Sequence, residues 1–213
     1  FLVNYHNNNI LLLVVIALIA LTIGLAAFGR FIPKTVYPLA VVLITLSLIY
    51  STTLSSPGLS AYDIQVEYYY QAFVSQSGYW DFARGGNVNT ALSIVLITPI
   101  YSSVLDMDAI WVFKIVYPFF SSLVPLALFG VYSRQIGDKR ALVSVFFLIS
   151  VIIFAGLENR QMVAELFFTL LLLLVVDSRL EGTQKPALAI FFVMGIPLSH
   201  YGFALVNLAF FVL

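Results

Sequence analysis

Six side chains have the types and spacing for chemistry: Asp63, Glu67, Lys114, Arg160, Glu165 and His200. Asp63 and Glu67 stand four residues apart in YDIQVEYYYQ. On a helix that spacing puts both carboxylates on one face. There they could supply a general base or grip a divalent ion. Glu165 follows Arg160 by five residues in RQMVAE, at the start of an apolar run. An acid deep in such a run costs about 2.5–3.5 kcal/mol, so it usually faces a cavity or a partner. The planar fork of Arg160 suits a phosphate. His200, in SHYG, could ligate a metal, shuttle a proton or donate to a phosphate.

Each of these has a plainer reading. Asp63 and Glu67 could sit in water on a loop helix. Glu165 is shallow enough to be favoured by the helix dipole, and Arg160 could simply pair with Glu158 or Glu165. Lys114 fits an interfacial lysine that snorkels to water, and His200 an interfacial histidine beside Tyr201. Tyr68, Tyr69, Tyr70, Tyr79 and Trp80 read first as an aromatic belt. Gly85-Gly86-Asn87 is a turn, without the strand–helix setting of a nucleotide loop.

The elements that would position these groups are apolar. The chain has 213 residues, is 62% hydrophobic and 9% charged, and has a mean hydropathy of +1.03. Soluble domains are about 25% charged. The composition therefore belongs to the membrane class. The formal net charge is zero, which argues against a nucleic-acid partner. There is no cysteine, which excludes disulfides, thiolate catalysis and cysteine metal sites. The chain begins at Phe1 and stops at Leu213 within an apolar run, and it reads as part of a longer protein. The run at 10–28 does not resemble a signal peptide, because its basic residues follow it.

Apolar runs cover 10–28, 36–54, 91–105, 110–132, 141–157, 161–176 and 187–199, with another from Gly202. A span needs about 20 residues. The basic turns hold Arg30 and Lys34, then Arg134, Lys139 and Arg140, then Arg179 and Lys185. All three fall on the cytoplasmic side if 91–105 does not cross. The expected fold is thus all-α, a polytopic bundle of about seven spans. Its first outer loop, 55–108, carries juxtamembrane helices. Residues 1–35 form an additional N-terminal helix and 36–213 the main module. Asp63, Glu67, Lys114, Arg160, Glu165 and His200 then all approach the outer face.

In this order the pattern resembles the GT-C superfamily of integral-membrane glycosyltransferases. YDIQVEYYYQAFVSQSGYW is similar to the family's acidic first-loop motif, with Asp63 as the matching acid. NTALSIVLITPIYSSVLDMDAIWVFKIVYPFF resembles its juxtamembrane segment and the following helix, with Lys114 in the basic position. SRQIGDKR resembles its basic cytoplasmic turn, and ENRQMVAELFFTLLLL its second outer turn, with Arg160 and Glu165 matching. The resemblance covers about 36–200, in a style similar to archaeal membrane proteins. Two departures stand out. Asp63 is followed by Ile64 where many members have adjacent acids, and the second-loop acid is Glu165 where Asp is common.

The resemblance implies transfer of a sugar from a polyprenyl-phosphate donor to a glycan or protein acceptor at the non-cytoplasmic face of the plasma membrane. Asp63 would be the general base, with Glu67 and Glu165 as further catalytic acids. Arg160, Lys114 and His200 would bind the lipid phosphate. Asp63 and Glu165 could share a divalent ion, Mg or Mn. Two rivals remain open. One is a transporter or channel subunit using Glu165, Arg160 and Lys114 as a charge relay. The other is a non-catalytic membrane scaffold.

Overall fold

The computed structural model describes residues 9–28, 33–155, 158–180 and 182–212. Arg30 and residues 156–157 of the run at 141–157 lie outside that set. Among the described residues the chain is all-helical, without strands. The principal helices are α1 (Ile10–Phe28), α2 (Tyr37–Thr53), α3 (Tyr62–Ser77), α4 (Leu92–Val95) and α5 (Ile97–Val104). They continue with the composite α6 (Ala109–Ile136), α7 (Asp138–Ala155), α8 (Asn159–Val176), α9 (Gln184–Ser199) and α10 (Tyr201–Val212).

Three helical stretches are long and apolar enough to cross a membrane among the described residues: Lys34–Thr53, Ala109–Ile136 and Asn159–Val176. Leu13–Leu25, Leu92–Val104 and Gln184–Ser199 are shorter apolar helices. At 1.5 Å per residue, Leu92–Val104 extends about 20 Å against a hydrocarbon core of about 30 Å, too little to cross. Many large apolar side chains point outward, among them Ile10, Leu13 and Leu18 of α1 and Ile190, Phe191 and Met194 of α9. Such faces suit lipid rather than water.

The main core lies where α2, α6 and α7 meet. Tyr37, Val41, Ile44 and Ile49 recur at helical spacing along α2 and are buried. Val124, Leu128 and Phe129 of α6 and Leu142, Val145 and Ile149 of α7 complete this cluster. Helix α8 packs against α6 and α9, and α9 packs against α10.

Helix α6 is irregular for a local reason. Val112–Val116 is a π-turn, and the Tyr117 N–H bonds to the Val112 carbonyl. Pro118 follows, and a proline has no N–H to offer the carbonyl four residues back, that of Lys114. The displaced carbonyls find partners on α2. Thr53 Oγ1 donates to Lys114 O at 3.3 Å, and Tyr50 O–H donates to Ile115 O at 3.0 Å. The wider turn carries Lys114 into the interior, where it is buried.

The long connection 55–108 is folded onto the start of α6. Ile94 and Val95 are fully buried, and Ile94 packs with Val112, Phe113 and Tyr117. Tyr117 O–H donates to Ser93 O at 2.9 Å and shares a 2.7 Å bond with Thr98 Oγ1. The 91–105 segment is therefore held by the protein, not merely laid on the membrane surface. Gly86 needs its glycine: φ is +116°, and the Tyr70 hydroxyl occupies the space a Cβ would take. That hydroxyl donates to Gly85 O at 2.8 Å.

Candidate functional site

Helix α3 supplies the first acids. Its inward face carries Glu67, Gln71 and Val74, all buried. Asp63 lies one turn before Glu67 on the same face, 47% exposed where Glu67 is 0%. The helix begins after Ala61, whose φ of +85° is a left-handed conformation that costs a non-glycine residue about 1–3 kcal/mol. The chain thus turns sharply to place Asp63 in the first helical turn.

Helix α8 supplies the cation. Asn159 opens it, Arg160 comes second, and Glu158 precedes it in extended conformation. The first backbone N–H groups of a helix have no partner within it. Glu67 provides one from α3, with Oε1 accepting from the Arg160 N–H at 3.2 Å. The same oxygen lies 3.5 Å from Arg160 Nε. Arg160 Nη2 lies 3.6 Å from Asp63 Oδ1 and donates to Glu158 Oε2 at 3.2 Å. One guanidinium therefore gathers three carboxylates.

His200 closes the cluster from the α9–α10 junction. Its Nδ1 accepts the Phe203 N–H at 3.0 Å, so the imidazole caps α10. Its Nε2 then carries the proton and points to Glu158 Oε2, 3.8 Å away. The ring stacks on Tyr201 with centroids 5.7 Å apart. Tyr201 in turn accepts from Asn87 Nδ2 at 3.1 Å, which ties the outer loop to α10.

Three acids against one arginine leave two unbalanced negative charges if all are ionised. Burial relieves part of this by pushing the Glu67 carboxyl up to about 7, against the opposing pull of Arg160. Burial also lowers the His200 pKa, helped by the Arg160 charge and opposed by Glu158. Glu67 Oε2 and Asn159 Nδ2 make no hydrogen bond of good geometry among the described residues, yet the Asn159 amide lies close enough to pull the Glu67 carboxyl down slightly against its burial.

The site expected from sequence assembles in part. Asp63, Glu67, Arg160 and His200 come together. Glu165 stands apart, its Oε1 accepting from Gln161 Nε2 at 2.8 Å. Five residues on a helix turn the side chain by about 140°, which carries Glu165 off the Arg160 face. Lys114 also stands apart. It does not snorkel to water; its Nζ donates to the Ser56 carbonyl at the root of the outer loop. Among the described residues no group of three or more His, Asp or Glu side chains is arranged to hold a metal ion.

Glu158 joins Arg160 and His200, and Asn159 lies buried beside them; neither was among the six candidates. Their signal was present in the turn ENRQ, where an acid and an amide flank the arginine. The aromatic residues are also divided. Tyr68 packs edge-on against Phe113, and Trp80 Nε1 donates to Asn89 Oδ1 at 3.1 Å. Tyr69 and Tyr79 remain exposed.

Comparison with protein-family models, with curated proteins and with solved structures gives no match. Fold and composition define the class: among the described residues, an all-helical protein with helices suited to a membrane, bearing a partly buried Arg–carboxylate cluster.

Proposed function

We propose that this chain is the membrane module of a glycosyltransferase that takes a sugar from a polyprenyl-phosphate donor at the non-cytoplasmic face. The observation that carries this reading is the ion pair between half-exposed Asp63 and Arg160. It sets a carboxylate open to solvent beside a guanidinium able to hold an oxyanion. Asp63 takes the proton from the acceptor hydroxyl or amide as that atom bonds to the anomeric carbon. The bond from that carbon to the phosphate oxygen breaks, and polyprenyl phosphate leaves. Arg160 and the His200 Nε2–H steady the charge that develops on it. Glu67 holds Arg160 from behind. Glu165 and Lys114 act on the scaffold, not on the reacting atoms. The lipid chain of the donor stays in the bilayer, and seven spans in the whole module belong to this proposal.

The test is transfer from a polyprenyl-phosphate-linked hexose in proteoliposomes. Asp63→Asn should lose at least 100-fold in rate, the lower range for a general base, while melting as wild type does. Wild-type transfer by that variant would remove Asp63 from the role.

One observation favours a second reading. Glu67 is fully buried, paired with an arginine and titrates near neutrality. A proton-coupled carrier needs such a group. It would show proton flux abolished by Glu67→Gln and untouched by Asp63→Asn.

A further inference from the structure

Helix α3 has a second face. Tyr62, Tyr69 and Gln76 recur every seven residues, about 10 Å apart along the axis. They lie about 140–180° around the helix from Glu67. Tyr62 is 79% exposed and Tyr69 56%, and Gln76 is exposed as well. Glu67 accepts an N–H from the first turn of α8, and such groups point outward along the helix axis. Helix α3 therefore lies off the N-terminal end of α8. Its tyrosine face turns away from the helices suited to a membrane, whereas an aromatic belt would flank them.

Tyr69 is braced. Its hydroxyl accepts from Arg84 Nη2 at 3.2 Å, and its ring stands edge-on to Tyr70 with centroids 5.5 Å apart. Tyr70 is in turn tied to Gly85 O. The guanidinium carbon of Arg84 lies 3.2 Å from the centre of the Phe73 ring. Among the described residues Arg84 pairs with no carboxylate. A phenol that accepts from arginine keeps its own proton to donate, and the guanidinium has further N–H groups. The face thus offers aromatic surface fixed in advance, hydroxyl and guanidinium donors, and an amide. Such rings can cover the C–H side of a sugar while the donors take its hydroxyls.

We propose that this face binds an oligosaccharide, laid along α3 with one end toward Asp63. Tyr62 adjoins Asp63 in the chain, about 100° away around the helix, so a glycan on the tyrosines ends beside the half-exposed carboxylate. The placement at Asp63 rests on the transferase reading and names its acceptor as a glycan chain; the binding itself is tested apart from it. Rings already fixed lose little freedom on binding.

The experiment uses the whole protein in phospholipid nanodiscs, free of sugar detergents. Soluble oligosaccharides of glucose, mannose, galactose, N-acetylglucosamine and galacturonate are titrated by saturation-transfer NMR. At least one should bind at millimolar concentration or below. Tyr69→Ala should weaken it roughly tenfold, and so should Tyr62→Ala, which decides the matter if the first variant does not fold. A nitroxide on Gln76→Cys, the sole thiol in that variant, should be reached by a water-soluble relaxing agent and not by oxygen from the bilayer. No binding by any oligosaccharide, undiminished binding in Tyr62→Ala, an unglycosylated peptide binding in their place, or a nitroxide sunk in lipid would each overturn the proposal. Oligosaccharide binding by a protein that transfers no sugar would keep the glycan face and remove the transferase reading; transfer without such binding would do the reverse.

Discussion

Glu67 reaches across from α3 to cap α8, its Oε1 accepting the Arg160 N–H at 3.2 Å and lying 3.5 Å from Nε of the same residue. A single buried oxygen thus fixes both the backbone and the side chain of the arginine. The position of the 55–108 connection and that of the cation are thereby tied together.

Burial of that carboxyl, which outweighs the pull of Arg160, should make stability depend on pH. The Glu67 carboxyl lies at about 7 when folded and near 4.5 unfolded. The folded state binds its proton more tightly, so the associated stability is complete below pH 4.5 and is lost as pH rises through 7. The full difference is about 3 kcal/mol. Glu67→Gln retains an acceptor for the Arg160 N–H and does not titrate. Chemical denaturation from pH 4 to 8 should show the decline in wild type and a flatter profile in the variant. Parallel profiles would remove Glu67 as its source.

His200 has two separable duties. His200→Ala removes the cap on α10 and should cost about 1 kcal/mol. His200→Asn restores a capping side chain, and with it most of the stability. Asparagine does not restore the imidazole N–H that faces Glu158. A fall in sugar transfer shared by both variants would assign the ring to phosphate; recovery with asparagine would confine it to the cap.

Tyr117 is the anchor of the loop's apolar segment. Tyr117→Phe leaves the part-buried Ser93 carbonyl and the buried Thr98 hydroxyl without that partner. The expected loss is about 1–3 kcal/mol. Hydrogen exchange should quicken most across 92–104. Exchange spread evenly over the chain would argue against a local anchor.

The absence of cysteine makes topology easy to read. Ser75→Cys and Gln135→Cys both place a thiol at an exposed position. An impermeant maleimide added to intact cells should label one and not the other. Labelling of both from the same side would refute the proposed order of spans.

Much of the framework was legible in the chain. Long apolar runs without strand-like alternation pointed to helices, and the four-residue spacing of Asp63 and Glu67 pointed to one face. The expected order of spans permitted their meeting with Arg160 without requiring it; the contacts themselves come from the folded chain. What escaped depended on angle and on partners far along the chain. Glu165 was paired with Arg160 by proximity, although five residues rotate it away and Gln161, four residues before it, is the better-placed neighbour. Lys114 reads as a phosphate-binding or interfacial lysine, and nothing in the sequence shows that its ammonium is buried on the Ser56 carbonyl. His200 looked like free chemistry because capping of α10 by its Nδ1 depends on backbone geometry that spacing does not reveal.

The π-turn at Val112–Val116 holds one more residue than a regular helix would need. Deleting a single amino acid there would let the hydrogen bonds reset to ordinary spacing and rotate everything upstream by about 100° relative to Tyr117. Lys114 would then turn away from the Ser56 carbonyl and lose the acceptor that holds its buried ammonium. Descendants of this sequence should therefore lose the insertion and the lysine together, or retain both, and a one-residue gap at this point would mark the lineages that made the exchange.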